Sequence, residues 1–227
     1  MFKIFKIVPL LIFLTFPISL SAHVQHYEDL KRIEFDIYRN NKLIGTHIFS
    51  FKKLSGQLAV KSEINFEIKK LGITFYTYHV EGTEIYEDGK LIKFNSKTNQ
   101  NGKEKYVNMI LENEDYNIDG SSYQGKAPIN YLLGTWWNHS IVEAPAQISA
   151  VSGRLINQEV TFLGKETIKL GEKSYNALHF NFSSTDKKLT KGKRLNTDVW
   201  YDEETLNWVK ASFEKQGRWE YKLISIN

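Results

Sequence analysis

A mainly β fold is predicted for this chain by three observations. Apolar and polar side chains alternate in segment after segment, hairpin-forming dipeptides separate those segments, and proline stays out of them. The alternation is plainest where Ile33, Phe35 and Ile37 interleave with Glu34 and Asp36. It returns at Val60, Ile64, Phe66 and Ile68, whose intervening positions carry Lys61, Glu63, Asn65, Glu67 and Lys69. Leu178, Phe180 and Phe182, then Val209, Ala211 and Phe213, then Trp219, Tyr221 and Leu223, repeat it toward the C-terminus. A strand of this kind packs one face and wets the other, as antiparallel sheets do.

The turn signals are Asn40-Asn41, Ser55-Gly56, Asp88-Gly89, Asn101-Gly102, Asp119-Gly120, Gly171-Glu172 and Asp202-Glu203. Asn, Asp and Gly accept the positive φ that tight hairpins require. Their spacing predicts a meander of about ten strands, bent into a single strongly curved antiparallel sheet, half-barrel or barrel-like. Two runs, Leu71 to Val80 and Tyr106 to Leu111, are apolar or aromatic on both faces. They are expected at the sheet centre, buried on both sides and covered on one by a helix. The segment Ile129 to Val142 breaks the pattern and follows Pro128, so one short helix or ordered loop is placed there.

Before the strands begin, Lys3 and Lys6 precede an apolar run from Ile7 to Phe16, then Pro17 and the small residues Ser19, Ser21 and Ala22. That order is a cleavable secretory signal, and the apolar stretch falls short of the about 20 residues that span a bilayer. Cleavage after Ala22 or after Ser21 both fit. The domain plan is a signal peptide over 1–22 and one antiparallel β domain over 23–227. There is no cysteine, which excludes a disulfide framework and a lipid anchor on an N-terminal cysteine. Twenty-five lysines against five arginines suggest an AT-rich bacterial genome and hence a periplasmic location. The net charge of +4 falls to +2 without Lys3 and Lys6, which does not predict nucleic-acid binding.

Three segments together resemble a family of exported bacterial proteins known only as a domain of unknown function. They are the hairpin Ile33 to Phe51, the stretch Leu132 to Val142 with Trp137-Asn138 followed by Leu155-Ile156-Asn157, and the C-terminal run from Thr197 to Leu223. The C-terminal run also resembles lipoprotein carriers of the LolA/LolB type. The resemblance implies a curled antiparallel sheet and no particular reaction, and fold likeness does not set function.

Candidate functional residues follow from chemistry. Aromatic residues make up 14% of the chain, and a curved sheet exposes a concave face that they can line. Phe75, Tyr76, Tyr78, Trp136, Trp137, Asn138 and Trp200 are the expected lining for an apolar or amphipathic ligand, a lipid among them. Trp136, Trp137 and Asn138 have a second reading, as a plug that seals one end of the sheet with an amide serving an indole N–H. Lys187, Lys188, Lys191, Lys193 and Arg194 crowd one stretch, either a solvated hairpin tip or a contact for an anionic envelope surface. The acidic run Asp202, Glu203 and Glu204 is accounted for by a turn.

No catalytic motif stands out. Ser140 beside His139 is sequence adjacency only. There is no Gly-x-Ser-x-Gly elbow, no His-Glu-x-x-His and no phosphate-binding glycine loop. The reading therefore leans away from an enzyme, with a hydrolase of an envelope component as one alternative and an envelope interaction module without a pocket as the other. No cofactor or metal is assigned, although His23, if it becomes the first residue, has the amine and imidazole of a copper chelator.

Overall fold

The computed structural model describes Tyr27 and residues 29–227. The expected signal peptide, its expected cleavage site and His23 lie outside the described residues. Fifteen strands form one sheet. In chain order they are β1 (Arg32–Arg39), β2 (Lys42–Leu54), β3 (Gln57–Lys70), β4 (Ile73–Glu87), β5 (Lys90–Gln100), β6 (Lys103–Glu112), β7 (Asp115–Gly120) and β8 (Tyr123–Pro128). There follow β9 (Leu132–Leu133), β10 (Ala146–Ile148), β11 (Leu155–Leu170), β12 (Lys173–Ser184), β13 (Asn196–Asp202), β14 (Trp208–Glu214) and β15 (Arg218–Ile226). The expected ten strands become fifteen because short elements such as β9 and β10 carry no alternation long enough to see.

The sheet order runs from β8 down to β1, then from β15 down to β9. Every strand thus pairs with a sequence neighbour except at the β1–β15 seam, where Phe35 faces Leu223 and Ile37 faces Tyr221. All pairings are antiparallel apart from β9 with β10. A flat sheet of this size would be roughly 70 Å wide at ordinary strand spacing. Yet its two edge strands, β8 and β9, are separated in the chain only by Ile129, Asn130 and Tyr131, a reach of at most about 14 Å. Connectivity alone therefore forces the sheet to curl until its edges approach.

The edges are stitched, without a ladder, by the turn that follows β10. Ser122 N donates to Ser152 O at 2.9 Å, and Ser96 Oγ donates to Ala150 O at 2.6 Å. Gly120 is explained here. A Cβ on it would lie 2.7 Å from Ser152 O, so the residue is glycine for close approach. Asp119-Gly120 accordingly ends β7, and the turn expected there falls at Ser121-Ser122.

Inside the curl sit Ile33, Phe35, Ile37, Phe49, Val60, Phe94, Met109, Phe182, Val199 and Tyr201, all buried. No α-helix covers the sheet among the described residues. The filling is the chain between β9 and β10, an ordered loop with a 3-10 turn at His139–Glu143, as the short helix or loop over 129–142 anticipated. It is clamped by two buried amides: Gln147 donates to Gln158 at 2.6 Å, and Gln158 Nε2 donates to the carbonyls of Ile141 and Ala144.

The two doubly apolar runs are corrected by the structure. Residues 71–75 are exposed, and Leu71-Gly72 is a turn. In β6, Val107 and Met109 are buried while Tyr106 and Ile110 face water. Neither strand is buried on both sides, because the interior takes only one face of each.

Gly45 of β2 is a packing requirement. A Cβ there would lie 2.0 Å from Asn65 O and 2.5 Å from Phe66 Cβ. Gly45→Ala is expected to destabilise the domain by about 3 kcal/mol, since backbone atoms must move to admit it. Urea unfolding measures this, and an unchanged midpoint would contradict the close approach.

Candidate functional site

One end of the curl holds an aromatic basin. β2 supplies His47, β3 supplies Phe66, β4 supplies Tyr76 and Tyr78, β14 supplies Trp208 and β15 supplies Trp219 and Tyr221. The interior loop adds Trp136, held at φ 62. Phe66 stacks on Tyr78 at 4.8 Å and on Tyr76 at 6.0 Å, and meets Trp219 edge-on at 5.2 Å. Trp208 contacts Tyr221 at 5.7 Å, Trp136 at 5.6 Å and Phe35 at 3.9 Å. His47 lies 5.8 Å from Trp208 and 5.9 Å from Tyr221.

The basin is apolar in its walls and carries polar atoms with nothing to bond. Both ring nitrogens of His47 and the indole nitrogens of Trp136 and Trp208 are buried with no hydrogen-bond partner in the protein. Buried polar atoms are nearly always paired, so such a group of orphans is uncommon. Burial drives the His47 pKa down to about 3, which keeps the imidazole neutral. Burial likewise raises the phenols of Tyr78 and Tyr221.

Phe66 and Tyr78 also form part of the wall of a cleft of about 960 Å³ that opens beside the β1–β2 turn. Ile44 and Ile68 add apolar wall, and Arg39, Lys42, Lys69, Glu67 and His79 line it with charge or polarity. His79 hydrogen-bonds Asn65 and lies 3.7 Å from Glu81, so its polar atoms are engaged.

A second polar group sits further inside. Trp137 is fully buried among Tyr27, Phe51 and Tyr86, whose rings meet it edge-on at 5.1, 5.3 and 5.5 Å. Its indole N–H donates to Glu84 Oε1 at 2.9 Å, and Tyr86 Oη donates to Glu84 Oε2 at 2.5 Å. Burial raises the Glu84 pKa to about 7 against the pull of the Tyr86, Trp137 and Thr135 hydrogen bonds. Asn138 caps the 3-10 turn by accepting from Ser140 N at 3.0 Å and borders a small cavity of about 140 Å³. This arrangement ties the loop to β4 and has the geometry of a plug.

The predicted lining residues thus separate. Tyr76, Tyr78 and Trp136 meet in the basin, whereas Trp137 and Asn138 lie in the plug. Phe75 is on the outer face and exposed. Trp200 is also on the outer face, stacked on His179 at 4.1 Å and donating to Glu166 at 2.5 Å, with Lys210 Nζ 4.3 Å above its ring. The β13 alternation decides this: Val199 and Tyr201 point inward, so Trp200 points out. His179 there approaches Glu166 at 3.1 Å and Asp198 at 3.5 Å, and no Ser or Thr hydroxyl hydrogen-bonds it among the described residues. Lys187, Lys188, Lys193 and Arg194 are exposed between β12 and β13, and Lys191 opens a 3-10 turn. Arg194 is engaged by its own loop, donating to the carbonyls of Leu189 and Lys187. Sequence reasoning missed His47, Phe66, Trp208, Trp219 and Tyr221, although period-2 alternation places four of them on the inward face.

Fold and basin together define a barrel-like β domain, a meander curled around an inserted loop with an aromatic cluster at one end. The chain belongs to the family described as domain of unknown function DUF6134, whose model matches residues 35–224. Among solved structures it is similar to a beta-barrel-like protein of domain of unknown function DUF1849 from Brucella abortus. That likeness has a TM-score of 0.60 at 11% identity, covering 87% of this chain and 97% of that one. A DUF1329 family protein from Desulfovibrio piger aligns over 92% of this chain and 90% of its own, at 8% identity and a TM-score of 0.22. No curated protein matches the chain.

Proposed function

We propose that this is an exported periplasmic protein that binds an amphipathic small molecule in the aromatic basin without transforming it. The observation that carries the reading is the set of unpartnered donors on Trp136, Trp208 and His47 within aromatic walls. The cleft of about 960 Å³ shares Phe66 and Tyr78 with those walls, while Asn65, Glu67, Thr77 and His79 line it from the outer face. A ligand with an apolar body and one or two acceptor oxygens satisfies both features. The carrier-like pattern of the C-terminal strands supports the same reading, and the order of residues 1–22 supports export.

The test is native mass spectrometry of protein recovered from periplasm under mild conditions. A bound lipid or other amphipathic molecule, released on unfolding, is the expected result. Tyr78→Ala combined with Trp136→Ala is expected to lower its occupancy about tenfold while the fold survives. A clean apo mass, together with no uptake of a fluorescent fatty-acid probe, would overturn the proposal. That outcome would favour the interaction module without a pocket, for which the loop that fills most of the interior is the supporting observation.

A further inference from the structure

We propose that the β3–β4 hairpin tip is a docking finger for the surface of an anionic phospholipid bilayer. This goes beyond the basin and stands independently of it. One turn departs from the pattern of the others. Ser55-Gly56, Asp88-Gly89 and Asn101-Gly102 join neighbouring strands with both residues at positive φ, and each opens on a polar residue that tolerates that region. The β3–β4 turn has the same backbone, with φ of 51° and 79°, but opens on Leu71. Leucine is disfavoured there by its Cβ, and this one is 93% exposed, so it is disfavoured by hydration as well. Nothing in the folding of the hairpin requires it.

The exposure is shared. Ile73 is 63% exposed and Phe75 59%, and Leu43 at the foot of the neighbouring β1–β2 turn is 52% exposed. An apolar side chain on a projecting tip has no surface of its own chain to cover, whereas acyl chains beneath lipid headgroups would take it.

Charge around the tip specifies which lipid. Strand alternation brings the turns at 40–41, 71–72, 101–102 and 121–122, the 185–195 loop and the 215–217 turn to the same end of the sheet. Exposed cations there include Lys42, Lys69, Lys70, Lys103, Lys187 and Lys215. The carboxylates on the same flanks are Glu67, which pairs with Lys69 at 2.7 Å, and Glu104, Asp119, Asp186 and Glu214. At the opposite end Asp88, Glu112, Glu114, Asp115, Glu203 and Glu204 offset the lysines. A basic rim around an apolar tip matches an anionic headgroup layer over hydrocarbon.

The chain has no cysteine, so one substitution gives one labelling site. Ile73→Cys carrying an environment-sensitive fluorophore is titrated with phosphatidylglycerol–phosphatidylcholine vesicles, with Leu54→Cys at the opposite end as the reference. The expected result is a brighter, blue-shifted signal at position 73 only. It should weaken at high salt and with pure phosphatidylcholine. In the unlabelled protein, Leu71→Asn with Phe75→Ser is expected to cut vesicle binding about tenfold. Its thermal midpoint should be unchanged, because asparagine suits the turn. A label at 73 that stays in water, an equal response at 54, or vesicle binding that survives the double variant would each overturn the proposal. Loss of the basin ligand would leave all these readouts standing, so the two proposals fail separately.

Discussion

Replacing Trp137 with alanine is expected to lower the unfolding free energy by about 4 kcal/mol, among the largest effects open to a single substitution here. The ring is fully buried and touched edge-on by three aromatic neighbours, so its removal leaves a cavity with rigid walls. The substitution also strips Glu84 of the indole donor at 2.9 Å while leaving that carboxyl buried. Trp137→Phe separates the two contributions. It keeps most of the packing and loses only the N–H, for which a cost of about 2 kcal/mol is expected. Equilibrium urea unfolding of both variants measures the difference. If Trp137→Ala loses no more than Trp137→Phe, the loop is not wedged into the interior as described.

The second large effect is on pH dependence, and it comes from two buried groups with opposite signs. The Glu84 pKa rises from 4.5 to about 7 on folding. The folded state therefore holds the proton more tightly, and the stability this confers is full below 4.5 and lost as pH climbs through 7. The His47 pKa drops from 6.5 to about 3. The folded state resists that proton, so its contribution is full above 6.5 and lost as pH falls toward 3. Between 4.5 and 6.5 the two slopes oppose one another and nearly cancel. Shifts of this size correspond to about 3 kcal/mol for Glu84 and about 5 kcal/mol for His47. Glu84→Gln is expected to expose the His47 slope, giving stability that rises with pH up to 6.5 and then levels. His47→Phe is expected to expose the other, with stability falling between 4.5 and 7. Thermal melts of the three proteins across this range check both signs, and parallel curves would refute the assignment.

Much of the architecture was legible in the sequence because period-2 alternation and Asx-Gly turns are local signals. Ile33, Phe35 and Ile37 are buried as their spacing requires, and the Ser55, Asp88 and Asn101 turns fall where their glycines stand. What escaped was non-local. Gly120 reads as a turn residue, yet it is glycine because a turn more than thirty residues away passes over it. Leu71 reads as the start of a buried strand, because leucine carries no turn signal. The basin draws on β2, β3, β4, β14, β15 and the interior loop, and no local pattern shows that His47 would meet Trp208. Trp200 illustrates the reverse error: a large aromatic residue next to inward-facing neighbours was assigned by its type, when the parity of its strand sends it outward.

The strand order also bears on how the chain finds this shape. From β1 to β8, and again from β11 to β15, each strand lies against the one made just before it. Two arms can therefore zip up from nearby contacts, each closing only short loops. The register between Phe35 and Leu223 is the step that waits, since it joins residues from the two extremes of the domain. During synthesis the first arm is complete while β15 is still unmade, and β1 then presents an open edge. Its inward row of Ile33, Phe35 and Ile37, buried in the finished domain, lacks the β15 side of its cover until β15 is made. Holdase protection of that edge until the last strand arrives is what this topology favours.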